Sequence, residues 1–250
     1  MNPKIYIKNV KKTFKEGNEE LEVLKDINVI LNNGEFVSII GPSGCGKSTI
    51  FHILTQIEKH DEGIVEIDGV SINKIKKGIG YMPQKDLLMP WRNLIDNVSM
   101  PLEIQGVSKG ERVRKIEKLL PIFGLEGFEK AYPYQLSGGM RQRAALLRTI
   151  LINSDVMLLD EPFAALDAIN RSNMQEWLLD IWQKFKHSVF FITHDVEEAI
   201  YLSDRIYVLS HRPARVIDEI KIDFSRPRKK EMILTPEFLE YKRRILKLLD

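Results

Sequence analysis

Apolar and polar residues alternate at the start of the chain. "KIYIKNV" and "LEVLKDINVIL" place every second residue on one face, as half-buried antiparallel strands do. "NNG" at 32–34 is a turn signal. "EFVSIIG" then runs apolar into a glycine, the pattern of a buried parallel strand. "KSTIFHILTQI" switches to helical spacing, with Ile50, Ile53, Leu54 and Ile57 on one face. "GIVEIDG" and "IGYMPQ" predict two more strands. From 85 to 153 no strand-like run occurs; "NLIDNVSMPLEI", "KGERVRKIEKLLPIFG" and "GGMRQRAALLRTILIN" predict helices. Short apolar runs return in "VMLLDEP", "SVFFITHD", "RIYVLS" and "EIKIDF".

Strands alternating with helices predict an α/β fold built on a parallel sheet. The opening pattern adds an N-terminal antiparallel β subdomain, and the strand-free block is an inserted α-helical subdomain. The expected borders are 1–84 and 154–224 for the α/β core, 85–153 for the helical insert and 225–250 for a tail. In the tail, Thr235 before Pro236 signals a helix start. Phe238, Tyr241, Ile245 and Leu248 then share a face, so an amphipathic helix docked on the core is expected. The basic run "RPRKK" before it reads as a solvated linker.

Composition narrows the class. With 250 residues the chain accommodates one large domain or a core with a smaller insert. A net charge of +2 offers no bulk argument for nucleic acid. A single cysteine, Cys45, excludes an internal disulfide. No stretch approaches the ~18 to 20 apolar residues of a membrane helix. The N-terminus lacks the apolar core of a secretory signal. If the protein works at a membrane, other chains are expected to supply the spanning helices.

"GPSGCGKST" at 41–49 follows a predicted buried strand and precedes a predicted helix, the context that gives the G-x-x-x-x-G-K-[ST] pattern its meaning. Gly41, Gly44 and Gly46 let backbone N–H groups point at phosphate oxygens. The helix start adds its positive dipole end. Lys47 is expected on the β- and γ-phosphates and Ser48 on Mg²⁺. Pro42, Ser43, Cys45 and Thr49 complete the loop, with Cys45 neutral rather than catalytic.

"VMLLDEP" is an apolar strand ending in two carboxylates. Ligands bind outside the carboxyl ends of strands in open α/β sheets. Asp160 there suits Mg²⁺, a hard cation that takes oxygen ligands. Glu161, one residue on, is placed to orient and deprotonate a water attacking the γ-phosphorus. "FFITHD" has the same layout and offers His194 as a donor to the γ-phosphate. Gln84, after "IGYMP", is an amide within reach of the metal or the attacking water.

A second glycine motif needs its own reason. In "LSGGMRQR", Ser137, Gly138 and Gly139 open a helix expected from about 140 to 153 and form a second anion site. One nucleotide needs only one phosphate loop. The second site makes sense if it serves a nucleotide held by another copy, two copies sandwiching two nucleotides head to tail.

This set of motifs resembles the ATP-binding subunit of ABC transporters. "GPSGCGKST" is similar to the Walker A loop, "YMPQ" to the Q-loop, "LSGGMRQR" to the signature, "VMLLDEPFAALD" to Walker B with its D-loop, and "ITHD" to the switch histidine. The resemblance implies a P-loop NTPase (RecA-like) core and ATP with Mg²⁺ as cofactors. It implies that Phe14 in "KTF" stacks on adenine and that Asp167 serves in the D-loop. The D-loop reads Ala164-Ala165-Leu166-Asp167, without the family's usual serine. "LLMPWRNLIDNV" and "SHRPARVIDEIKIDFSRPR" are similar to importers for nitrate, sulfonates and taurine. Trp91 then reads either as a buried anchor of the helical subdomain or as part of the face meeting the membrane partner. The resemblance further implies an ATPase peripheral to the cytoplasmic face of the cell membrane. Its implied partners are a second copy, separate transmembrane permease subunits and, indirectly, a solute-binding protein; no nucleic acid is expected.

The rival reading is a soluble ABC-type ATPase acting on nucleic acid or ribosomes. DNA-repair members carry long coiled-coil insertions, and here Ser137 follows Lys47 by only 90 residues. Translation-type members carry two ATPase units, and this chain has one. A plain P-loop kinase or GTPase leaves "LSGG" unexplained.

Overall fold

The computed structural model describes residues 2–17, 19–75 and 78–249; the expected outer limits at 1 and 250 lie outside the described residues. The strands are β1 (Ile5–Glu16), β2 (Glu19–Leu31), β3 (Phe36–Ile40), β4 (Glu62–Ile67), β5 (Val70–Ser71), β6 (Gly80–Met82), β7 (Val156–Asp160), β8 (Ser188–Ile192), β9 (Arg205–Leu209) and β10 (Val216–Lys221). The helices are α1 (Lys47–Leu54), α2 (Leu94–Val98), α3 (Met100–Ile104), α4 (Lys109–Glu117), α5 (Leu120–Phe123), α6 (Gly138–Ile150), α7 (Ala168–Phe185), α8 (Val196–Leu202) and α9 (Pro236–Leu249). The chain forms two compact units, 1–77 with 184–250, and 78–183.

In the first unit an antiparallel sheet has the order β2-β1-β4-β5. Ile5, Ile7 and Val10 of β1 and Ile27, Val29 and Leu31 of β2 are buried on one face, as period-two alternation requires. The alternation changes phase between Ile7 and Val10, where the register shifts and Asn9 takes a positive φ of 51°. Gly63 of β4 passes this bulge so closely that a Cβ would lie 2.5 Å from the Asn9 carbonyl oxygen, at φ +97°.

The same unit holds β10-β9-β3-β8, with β3 parallel to both β8 and β9. Every residue of β3 and β8 is buried, which explains their unbroken apolar sequence. Ile50, Phe51, Ile53 and Leu54 of α1 pack inward, and the Phe51 ring meets Phe190 at 5.9 Å. Ile57, expected on that face, is instead 62% exposed. The helix stops first: the Thr55 hydroxyl donates to the Phe51 and His52 carbonyls, and Gln56 turns to φ +60°.

The tail forms the expected helix. Thr235 accepts from Phe238 N at 3.3 Å as an N-cap, and Phe238 and Ile245 are buried. The basic run before it is not a solvated linker. Arg228 is 7% exposed, and both Arg226 and Arg228 donate to backbone carbonyls at the end of α8. Burying a guanidinium needs such partners, and an open helix end supplies them.

In the second unit β6 lies parallel to β7, with Met82 opposite Leu159. Leu94, Val98, Leu102, Ile116, Leu120 and Phe123 form the apolar interior of the short helices between those strands. Arg148 on α6 is 9% exposed and donates to the Asp86 and Leu87 carbonyls at 2.6 and 2.8 Å. Asn97 is fully buried; its amide accepts from Met89 N and donates to the carbonyls of Met89, Arg92 and Asn93. It therefore replaces the secondary structure that the 89–93 segment lacks. Trp91, within that segment, is 72% exposed, which removes its reading as a buried anchor. Among the described residues no helix is long and apolar enough to cross a membrane.

Replacing Asn97 by alanine removes the side-chain acceptor of Met89 N and the side-chain donor to the Arg92 carbonyl, while the Met89 and Asn93 carbonyls keep their backbone donors. It is expected to lower stability by about 1 to 3 kcal/mol. A lowered urea midpoint with an unchanged slope checks this.

Candidate active site

The phosphate loop connects β3 to α1. Its backbone is bent by glycines at φ +71° (Gly44) and +125° (Gly46). A Cβ on Gly46 would meet Val23 and Leu24 side-chain carbons at 2.9 Å, so the position is closed to other residues twice over. Gly41 and Cys45 are buried, whereas Ser43 and Gly44 are exposed and Pro42, Ser48 and Thr49 half-buried. Burial pushes the Cys45 thiol up, away from the reactive thiolate, consistent with a neutral packing role.

Lys47 is only 5% exposed. Its ammonium donates to the Gly41 and Pro42 carbonyls at 2.9 and 3.0 Å. These are the loop's own carbonyls, and no carboxylate pairs with it among the described residues. A buried cation held only by dipoles fits an incoming anion. The loop's own charge balance thus suits phosphate.

In the second unit Asp160 ends the wholly buried β7 and is itself 5% exposed. The Tyr81 hydroxyl, on neighbouring β6, donates to it at 3.5 Å. Burial first, and then the Asp160 charge, push the Tyr81 phenol up to about 12, so it stays a donor at neutral pH. Glu161 takes φ +44°, a conformation that disfavours a side chain and often marks functional positions. Gln84 lies just past β6, and its amide donates to Glu161 Oε2 at 3.2 Å. The structure therefore brings Gln84 and Glu161 together, as it does Tyr81 and Asp160.

His194 is exposed at the end of β8. It stands between two fixed residues. Thr193 donates to Glu198 at 2.6 Å, and Asp195 caps α8 by accepting from Glu197 N and Glu198 N. Ser137 is the N-cap of α6, accepting from Met140 N at 3.2 Å, with Gly138 and Gly139 in the first turn. Its hydroxyl oxygen is thus engaged as a cap while its proton remains to donate. Asp167 accepts twice from Asn170, from the backbone at 3.0 Å and from the side chain at 2.6 Å, which holds its carboxyl below the usual range. Phe14, on β1, has the Lys12 ammonium 4.8 Å from its ring centroid.

The protein family described as ABC transporter matches residues 24–164, from β2 through the phosphate loop and α6 to the segment after β7. The chain belongs to the ABC transporter family. It is an ATPase of that family, and it binds ATP. An ABC transporter ATP-binding protein of Methanocaldococcus jannaschii, itself uncharacterized, is 45% identical over 100% of this chain and 92% of its own length. The aliphatic sulfonates import ATP-binding protein SsuB of Bacillus cereus is 41% identical over 97% of this chain and 94% of its own. The taurine import ATP-binding protein TauB of Pseudomonas aeruginosa is 41% identical over 86% and 81%. A bacterial ABC transporter cassette solved as a dimer superposes with TM-score 0.78 at 34% identity, covering 88% of this chain and all of its own. The family resemblance read from the motifs, down to the sulfonate and taurine group, is borne out, as are the P-loop α/β fold and the antiparallel N-terminal sheet.

Sequence reasoning missed two residues. Tyr81 carried no signal, because a tyrosine in a short strand is ordinary. The capping role of Asp195 was legible in the spacing Asp195-x-x-Glu198 at a helix start.

Replacing Lys47 by alanine removes the buried cation without filling the loop. It is expected to weaken ATP binding at least tenfold, the order expected for a lost charge-assisted hydrogen bond, and to leave the fold intact. Titration with a fluorescent ATP analogue, alongside circular dichroism, checks both halves.

Proposed function

We propose that this chain is the ATP-hydrolysing subunit of an importer for small anionic or organic solutes of the sulfonate and taurine kind. The buried Lys47 in its glycine loop, with no carboxylate paired to it among the described residues, carries the nucleotide half of this reading. Its likeness to sulfonate and taurine import ATP-binding proteins supports the importer half.

In this reading the loop residues 41–49 hold the phosphates and Phe14 stacks on adenine. Ser48, Asp160 and Gln84 would hold Mg²⁺, a hard cation that takes oxygen ligands. When bound, Mg²⁺ neutralises charge building up on the phosphate oxygens. Glu161, held by the Gln84 amide, orients the attacking water and takes its proton. His194 donates to the γ-phosphate. Ser137, Gly138 and Gly139 bind the γ-phosphate of a nucleotide in a second copy, with Asp167 at the same interface. The dimeric state of the related cassette supports this arrangement.

ATP binding closes the homodimer and hydrolysis reopens it. The helical insert, 85–153, passes the motion to transmembrane permease subunits at the cytoplasmic face of the membrane. The exposed Trp91 belongs to that contact. A solute-binding protein supplies cargo to the permease.

Glu161→Gln keeps the Gln84 contact site but removes the base. It is expected to bind ATP, slow hydrolysis by about 10² or more, and accumulate as a dimer in sedimentation. Hydrolysis at the wild-type rate would remove Glu161 from the role of base. A mild-detergent pull-down of the tagged chain from native membranes should recover a polytopic membrane protein. Ribosomes or nucleic acid in its place would return the soluble ABC ATPase reading.

A further inference from the structure

Helix α8 has only seven residues, too short to hold its own position. Its last four carbonyls have no partner within the helix. Its last turn contains no basic residue, and it ends at Ser203 in an extended conformation rather than at a left-handed glycine. Those four carbonyls are nevertheless all satisfied. Ala199 O accepts from Ser203 N at 3.1 Å. Ile200 O and Tyr201 O accept from Arg228 Nη1 at 3.1 and 3.0 Å, and Leu202 O accepts from Arg226 Nη2 at 2.7 Å. Arg228 also reaches Ser203 O at 2.7 Å. Three of the four thus depend on two arginines that lie more than twenty residues downstream.

These arginines are fixed in turn. Arg226 pairs with Asp204 at 2.7 Å, and Asp204 accepts from Phe36 N at the start of β3. Ser203 hydrogen-bonds Ser38 within β3. Farther along the tail, Lys242 pairs with Glu197 in the first turn of α8 at 2.6 Å. Phe224 packs on Tyr241 and Phe238, which seats α9 beside the arginine segment.

At its other end α8 is continuous with the His194 segment. Thr193 bonds Glu198 and Asp195 caps the first turn, so His194 sits between two residues whose geometry α8 dictates. Two cations at the carboxyl end of the helix also complement its dipole.

We propose that the C-terminal segment is a latch on the switch-histidine helix, with Arg228 and Arg226 as positioning residues that set where His194 stands. The proposal rests on the catalytic reading of His194. It assigns the tail a part in hydrolysis rather than in nucleotide binding.

The test uses the full-length chain. Arg228→Leu removes the fork that three carbonyls share. It is expected to lower kcat for ATP about tenfold, since small misplacements of a reacting group cost rates of this order or more, and to leave KM and ATP affinity within about twofold. Arg228→Lys should recover part of the loss. Amide hydrogen exchange should quicken about tenfold in residues 196–203 and stay unchanged in β3 and β7. In a His194→Ala background, Arg228→Leu should cause no further loss of kcat. A further loss there, an unchanged kcat despite faster exchange in α8, or exchange quickened uniformly over the chain would each overturn the latch. If Arg228→Leu does not fold, Lys242→Ala at the more exposed Glu197 pair replaces it. The same pattern at smaller amplitude is then expected, and no change in either kcat or α8 exchange overturns the proposal. Should His194→Ala hydrolyse ATP at the wild-type rate, the catalytic reading of His194 fails instead, and the exchange pattern alone decides whether the latch exists.

Discussion

The candidate site depends on buried strands whose carboxyl ends lead into polar segments. β3, β7 and β8 are buried at every position; β3 leads into the glycine loop, β7 ends in Asp160, and β8 leads into Thr193 and His194. A buried strand tolerates no slip in register, because moving it one residue would carry a lysine loop or a carboxylate into apolar surroundings. The apolar run therefore locates the charge that follows it. Asp160 closes the buried β7 and Lys47 opens α1 after the loop, and each is about 5% exposed.

Charges this close to the interior need organised partners, and each unit meets that need differently. The phosphate loop turns two of its own carbonyls onto Lys47. That arrangement holds the cation in place without a carboxylate partner among the described residues. At the end of β7, partners come from β6 and the residues just past it. Tyr81 donates to Asp160 and Gln84 to Glu161, and the left-handed turn at Glu161 is held by the surrounding structure.

The tail shows the same principle on a larger scale. A basic run that is polar by composition becomes interior when a helix end offers unpaired carbonyls. Burial and the neighbouring Arg226 pull the Arg228 guanidinium down to about 10, still charged at neutral pH. The ion pair of Arg226 with Asp204 and the hydrogen bond of Ser203 with Ser38 connect that helix end to β3, the strand that carries the phosphate loop. Within this unit, the tail, α8 and the phosphate loop's strand form one hydrogen-bonded chain of elements.

What the sequence determined by itself was whatever consecutive residues build. The phosphate loop, the Ser137 cap and the apolar strands are local, since neighbouring backbone amides and alternating side chains suffice to make them. The family and its fold were legible for that reason. Tertiary structure alone decided which distant side chains meet: Gln84 with Glu161 across 77 positions, Tyr81 with Asp160 across 79, and Arg228 with α8. It also decided that Trp91 faces outward and that Ile57 falls past its helix. These outcomes depend on strand pairing, on where helices end and on which polar groups are left over. Such leftovers exist only once the chain has folded, and composition and periodicity carry no record of them.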